Sequence, residues 1–169
     1  MNLPRQLKDM NVFGAGQSFL GECLSFTRPK LTMATEDYKG GGMLAPAKLN
    51  MGLDALEVTH KYGGDMPALN NEFGAAEIDA SQLRYVGAYQ NDATGELDNV
   101  EIIVRGRHEE IDAGDDEVGS KSGTSYKTAV VYYKQTRNGV IEFEIDTLAG
   151  VFMVNGVDRW AEIRAITRG

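Results

Sequence analysis

Two strand-like runs joined through Asn138-Gly139, within Thr128 to Asp146 (TAVVYYKQTRNGVIEFEID), constrain this chain more than any other stretch. A two-residue type I′ turn needs positive φ at both central positions, and Asn-Gly supplies it most readily. Such a turn sets Gln135 opposite Glu142, Lys134 opposite Phe143, Tyr133 opposite Glu144 and Tyr132 opposite Ile145. Side chains alternate along a strand, so the second run predicts an apolar face (Ile141, Phe143, Ile145) and an acidic one (Glu142, Glu144, Asp146). The expectation is a sheet half buried and half facing an aqueous space, with negative charge aimed at that space.

The 169 residues fit one domain able to bury a core without disulfide or metal. Cys23 has no partner cysteine, and no Cys/His cluster has zinc-ligand spacing, so folding in a reducing compartment is expected. No apolar run has the length of a signal peptide or a membrane span, so membrane insertion is not expected. A net charge of -8 argues against a nucleic-acid-gripping surface, whose affinity comes from Lys and Arg.

Residues 1–10 read as an N-terminal arm. Asn11-Val12-Phe13 begins a strand that turns at Gly14-Ala15-Gly16. A loop made of Tyr38, Lys39, Gly40, Gly41, Gly42, Met43, Leu44, Ala45, Pro46 and Ala47 lies between strand candidates, and a glycine-rich excursion of that length in a small domain points to function. Residues 49–62 read as one strand with Leu56, Val58, His60 and Tyr62 on a shared face. Asp65 as N-cap, Pro67 in the first turn, and Met66, Leu69 and Phe73 at helical spacing predict one short helix. Residues 82–90 and 100–107 form a second hairpin, with Val100, Ile102 and Val104 facing one way. Residues 113–125 are a polar loop, a second Asn-Gly turn falls at 155–156, and Trp160, Ile163 and Ile166 mark a helical turn in the C-terminal segment 157–169. The fold class is mainly β: a sandwich or barrel-like single domain with one short helix.

The chemistry-bearing residues do not converge. His108-Glu109-Glu110 alternates across a strand, and no second histidine has metal-site spacing. Glu142 and Glu144 stand at i and i+2 with no sign of an enclosing cleft, and no phosphate loop, dinucleotide fingerprint or nucleophile elbow occurs. No catalytic residue, metal or cofactor is assigned, and the protein is not expected to be an enzyme.

Several long blocks resemble one family. RGRHEEID (105–112), the preceding GAYQNDATGE and the following YYKQTRNGVIEFEIDTLAGVFMVNGVDRW are similar to the major tail tube protein of contractile-tailed bacteriophages. So are LKDMNVFGAGQSF, PKLTMATEDYKGGGM and LNMGLDALE, in the same order, so that the likeness covers essentially the whole chain. The resemblance implies a virion protein, assembled in the host cytoplasm, that forms homohexameric rings stacked into the inner tube of a contractile tail. Its implied partners are further copies of itself, the tail sheath protein, a baseplate or tube initiator and a tape measure protein. DNA would pass through during genome ejection without specific binding. Each subunit would give strands to a shared inner β-barrel. Six subunits of four strands, ~4.8 Å apart and tilted ~40°, imply a backbone diameter of about 48 Å and a bore of roughly 38 Å. A duplex roughly 20 Å wide then has about 9 Å of clearance per side, near the ~8 Å Debye length at physiological salt.

On this reading Glu142, Glu144 and Asp146 are candidates for the bore wall, with a sheath-facing strip as their alternative. Tyr38, Lys39, Gly40, Gly41, Gly42, Met43, Leu44 and Pro46 are candidates for contact with a neighbouring subunit or ring. Two other readings stay open: the tube of a DNA-free bacteriocin or secretion system, and a monomeric β-sandwich that binds a ligand.

Overall fold

The computed structural model describes residues 1–169. In chain order the elements are β1 (Gln6–Gly14), β2 (Gln17–Ser18), β3 (Cys23–Thr27), β4 (Met33–Tyr38), β5 (Ala47–Leu53), β6 (Leu56–Tyr62), α1 (Pro67–Asn70), β7 (Ser81–Gln90), β8 (Leu97–Asp112), β9 (Thr124–Arg137), β10 (Val140–Asp146), β11 (Val151–Val154), β12 (Val157–Asp158) and α2 (Ala161–Arg168). Most of the strands join one antiparallel sheet in the order β12-β11-β10-β9-β8-β7-β1-β2. The mainly β class is as the sequence predicts, with two short helices in place of the expected one.

The long strands β8 and β9 organise everything else. β8 pairs with β9 along its length, but the far edge of β9 is divided: residues 124–130 pair with β6 and residues 132–137 with β10. β3 extends the β6 branch. The sheet forks at Val131, which is left over where Arg105 and Gly106 pair with Tyr132 and Val130. An extra residue inverts the inside–outside phase of a strand. Accordingly Thr124, Tyr126, Thr128 and Val130 are buried before the fork, and Tyr133 and Gln135 after it. The two branches fold toward each other, and the space between them is the core.

The core joins Val12, Leu83, Tyr85, Val100, Ile102 and Val104 from β1, β7 and β8 to Leu56, Val58, Tyr62, Tyr126 and Tyr133 from β6 and β9. The shared face of Leu56, Val58, His60 and Tyr62 is buried as the alternation predicts. Aromatic edges hold the centre, with Phe19 and Tyr126 ring centroids 5.4 Å and 5.6 Å from that of Tyr62.

The helix α1 closes one end, with Leu69 fully buried. Pro67 sits at its start as expected, but Asp65 is not its cap: Met66 holds that position without a side-chain cap bond. The Tyr126 hydroxyl takes over, accepting the Met66 N–H (3.1 Å) and donating to Asn70 Oδ1 (2.8 Å). A residue 60 positions along the chain thus satisfies a donor that no local side chain reaches. Phe73, expected on the packed side, lies beyond the helix and is exposed.

Three other expectations change. Residues 6–10 are not an arm but the first half of β1, paired with β7 through Gln6↔Gln90 and Leu7↔Tyr89. Residues 49–62 are two strands, β5 and β6, that belong to different sheets. The Asn138-Gly139 and Asn155-Gly156 turns both form with positive φ (50° and 81°, 49° and 81°), yet the first hairpin changes register two residues later. Arg137↔Val140 and Thr136↔Ile141 are as predicted. Beyond a bulge at Glu142 the pairs become Gln135↔Phe143, Lys134↔Glu144, Tyr133↔Ile145 and Tyr132↔Asp146.

Candidate assembly surfaces

The bulge at Glu142 separates the three carboxylates that simple alternation places together. Residues directly opposite in an antiparallel pair point to the same side. Tyr133 and Gln135 face the core, so Ile145 and Phe143 do as well, while Glu144 and Asp146 join Tyr132 and Lys134 on the open side. Ile141, opposite Thr136, also takes the open side, contrary to its expected place in the apolar face. Glu142 turns back to the Gln135 amide (3.3 Å) and forms an ion pair with the Arg137 guanidinium. Arg137 continues to Asp98 (3.1 Å), and Asp98 to Arg5 (3.1 Å). Hydrogen bonds from the Asn138 amide and then from Arg137 hold the Asp98 carboxyl below its usual range. Glu142 is thereby one member of a network tying the start of the chain to the β9–β10 turn.

The other two carboxylates have different duties. Asp146 Oδ1 accepts the N–H groups of Leu148 (3.1 Å) and Ala149 (3.0 Å), which fixes the turn into β11. Glu144 stands across from Lys134 on one side and Met153 on the other.

Basic side chains that the sequence reading missed share this open face. Register places Arg84, Arg105 and Lys134 beside Glu101, Glu144 and Asp146. Arg84 pairs with Glu101 at 3.1 Å, and the Arg105 guanidinium lies 4.0 Å from the Tyr132 ring centroid. A hollow of about 280 Å³ between Arg105, Tyr132, Asp79 and Asp146 opens here. The face is a mixed array in which basic and acidic side chains interleave. The signal was the alternation of Arg84 with buried Leu83 and Tyr85 and of Arg105 with buried Val104, which becomes informative only once strand order is known.

The second surface is the hairpin β4–β5, a separate two-stranded sheet. Tyr38, Lys39, Gly40, Gly41, Gly42, Met43, Leu44, Pro46 and Ala47 form its tip, where Gly40 O accepts the Met43 N–H (3.3 Å) and Gly42 has a φ of 83°. Pairing puts Glu36 opposite Leu49 and Tyr38 opposite Ala47, with Met51 next along the same side. Thr35, Asp37, Lys48 and Asn50 occupy the reverse side. The hairpin is therefore amphipathic, yet Tyr38, Leu49 and Met51 are 56%, 47% and 59% exposed and Leu44 is 98% exposed. A two-stranded hairpin without a covered face is marginal in water. The helix α2 is likewise open: Trp160, Ile163 and Ile166 are exposed, and Arg164 and Arg168 tether it to the carbonyls of Gly150 (2.9 Å) and Ala149 (2.6 Å).

One cluster has the outline of a catalytic relay. Thr128 Oγ lies 2.8 Å from His108 Nδ1, and His108 Nε2 lies 3.1 Å from Glu72. Thr128 is 1% and His108 4% exposed, so the hydroxyl has no approach for a substrate. The hollow of about 650 Å³ bounded by Gln17, Glu22, Asp65 and Asn71 does not reach them. Burial also pushes the Cys23 thiol up to about 11, which keeps it protonated and unreactive.

Comparison with known proteins agrees with this picture of a subunit built from surfaces. Residues 4–166 match the family described as phage tail tube protein FII. The chain is 40% identical to the tail tube protein of Escherichia phage P2 over 167 residues, covering 97% of each. It is 34% identical to the major tail tube protein of Serratia phage KSP20, covering 92% of this chain and 91% of the relative. Among solved structures, a chain of the anti-feeding prophage tube-terminating cap has the same fold, with a TM-score of 0.59 at 13% identity, covering 80% of this chain and 93% of that one. A chain of the PVC sheath–tube complex, an extracellular contractile injection system, has a TM-score of 0.57 at 13% identity, covering 79% and 91%. With a match across nearly its full length and relatives of that identity, this chain belongs to the phage tail tube protein family.

Proposed function

We propose that copies of this subunit close into hexameric rings and that the rings stack into the hollow inner tube of a contractile tail, through which DNA leaves the virion. The observation that carries the reading is the open sheet edge. Along β1, only Phe13 and Gly14 pair outward, with the two-residue β2, so no strand covers the outer side from Gln6 to Asn11. The opposite end of the sheet is β12, also two residues long. Exposed strand edges invite pairing with another chain, and closure into a ring removes both at once. The role is structural, not catalytic. By likeness to sheath-bearing particles, the partners are a tail sheath protein outside, a baseplate initiator at one end and a tape measure protein within.

The open face of β7–β10 lines the bore in this account. Glu144 and Asp146 remain wall candidates, and Glu142, bound to Arg137, supplies little free charge. With Arg84, Arg105 and Lys134 interleaved, the wall neither holds a polyanion in one register nor excludes it.

The β4–β5 hairpin and its tip reach the neighbouring subunit or ring, which covers Tyr38, Leu49 and Met51. Deleting Gly40–Ala45 is expected to leave a subunit with unchanged far-ultraviolet circular dichroism that no longer elongates. Tubes of normal length by electron microscopy would refute that role.

A further inference from the structure

The two Asn-Gly turns are a matched pair in different surroundings. Each reads Asn-Gly-Val, at 138–140 and at 155–157. Each holds the same conformation, with φ of 50° and 81° at Asn138 and Gly139 and of 49° and 81° at Asn155 and Gly156. Both glycines are open, since nothing lies within 4 Å of a Cβ added to either. What differs is the grip on the asparagine carboxamide. Asn138 Nδ2 donates to Asp98 Oδ1 (3.0 Å), and Asn138 Oδ1 accepts the Asn99 N–H (2.9 Å). Asp98 is buried and is itself held by Arg137 and Arg5. The Asn155 side chain is exposed and makes no hydrogen bond within the subunit; only its main-chain N–H is engaged, by the Glu142 carbonyl (2.8 Å).

We propose that Asn155 is a self-modification site of the folded subunit, converting to aspartate and isoaspartate while Asn138 is preserved, and that the isoaspartyl form loosens β12 and α2. The Gly156 nitrogen, which no side chain screens, bonds to Asn155 Cγ. The Cγ–Nδ2 bond breaks, and ammonia leaves with the proton that the Gly156 N–H gives up. Water then opens the five-membered imide. Attack at Cγ yields aspartate, and attack at the Asn155 main-chain carbonyl carbon leaves the chain running through Cβ as isoaspartate. One carboxamide and one water are consumed, one carboxyl group and one ammonia are formed, and no atom changes oxidation state.

The carboxamide must first swing over the next main-chain nitrogen. At Asn138 that swing breaks a neutral and a charge-assisted hydrogen bond and takes a partner from the buried Asp98 carboxylate, for a rate roughly ten- to a hundredfold lower than at Asn155. At Asn155 it breaks none. The second turn also opens more readily, because β12 pairs only through Met153↔Asp158 and Val154↔Val157, whereas β10 pairs with β9 from Val140 to Asp146.

An isoaspartyl link adds a main-chain atom to a two-residue turn, so Val154 and Val157 no longer align. The helix α2 depends on that alignment. Asp158 of β12 accepts the Trp160 N–H (3.0 Å) and pairs with Arg164 (2.8 Å).

The dilute subunit is aged at pH 8, and a protease that cuts after glutamate separates the two turns at Glu142 and Glu144 for mass spectrometry. Conversion is expected at Asn155 roughly ten- to a hundredfold faster than at Asn138 when folded, and at similar rates in urea, where only the flanking residues act. Equal rates in the folded subunit, faster loss at Asn138, or protection of both overturns the proposal, as does an equally strong preference for Asn155 in urea. Converted chains carry an added carboxylate and separate from the parent on anion exchange. Their amides from Val157 to Arg164 are expected to exchange faster than the parent's while β8 and β9 match it. Unchanged exchange across 157–164 overturns the loosening.

Discussion

Gly106→Ala is expected to leave the subunit largely unfolded. A Cβ at this position would lie 1.8 Å from the Ala129 carbonyl oxygen, 2.8 Å from its carbon and 3.0 Å from Val130 Cα. All three are backbone atoms, so no side-chain rotation relieves the overlap. Relief requires β8 and β9 to part at the fork, where Val131 already lacks a partner on β8 and both branches hang from the same two strands. Overpacking against mobile side chains typically costs about 1–3 kcal/mol, and a clash with main chain exceeds that range. Set against the roughly 5–15 kcal/mol of a whole domain, the loss removes a large part of the stability. Gly41→Ala is the control, because nothing lies within 4 Å of its added Cβ. Urea midpoints should fall sharply for Gly106→Ala and scarcely move for Gly41→Ala. A Gly106→Ala subunit within about 1 kcal/mol of wild type contradicts the close β8–β9 pairing at the fork.

The second large effect concerns Tyr126. Its ring is fully buried against Tyr62 and His60, and its hydroxyl serves both Met66 and Asn70. Tyr126→Ala loses the packing and leaves a cavity, a change that costs about 3–5 kcal/mol for large aromatic side chains. Tyr126→Phe keeps the packing but strands a buried N–H and an amide oxygen, for about 1–3 kcal/mol. The two substitutions differ in reach as well as size. The phenylalanine variant should melt as one transition with a modestly lower midpoint while the amides at 69–71 exchange faster. Equal losses in the two variants would mean that the hydroxyl, and not the ring, dominates.

What sequence could reveal was governed by range. Faces set by neighbours two residues apart were legible: Leu56, Val58, His60 and Tyr62 are buried together, as are Val100, Ile102 and Val104. Both Asn-Gly turns formed because their conformational demand is met within two residues. What failed depended on distant partners. The bulges at Val131 and Glu142 follow from the fork, and no local pattern announces which residue is left over. Residues 6–10 carry no alternation because that half of β1 is open on both faces, so only pairing with β7 makes it a strand. The cap of α1 comes from a tyrosine 60 residues along the chain from Met66.

The candidate surfaces were half legible. The glycine-rich tip at 38–47 stood out by composition, but reading 49–62 as one strand hid the amphipathic hairpin beneath it. Glu144 and Asp146 do lie on the open face, whereas Glu142 was separated from them by a single extra residue. The basic residues beside them belong to other strands and needed the register to be seen.

Electron cryomicroscopy of particles formed by the purified subunit decides whether the sheet edges close on one another. Six-fold rings stacked into a hollow tube are expected, with the outer edge of β1 from Gln6 to Asn11 hydrogen-bonded to the sheet of the adjacent copy. Separate subunits at high concentration, or rings in which that edge stays open to solvent, would contradict that closure.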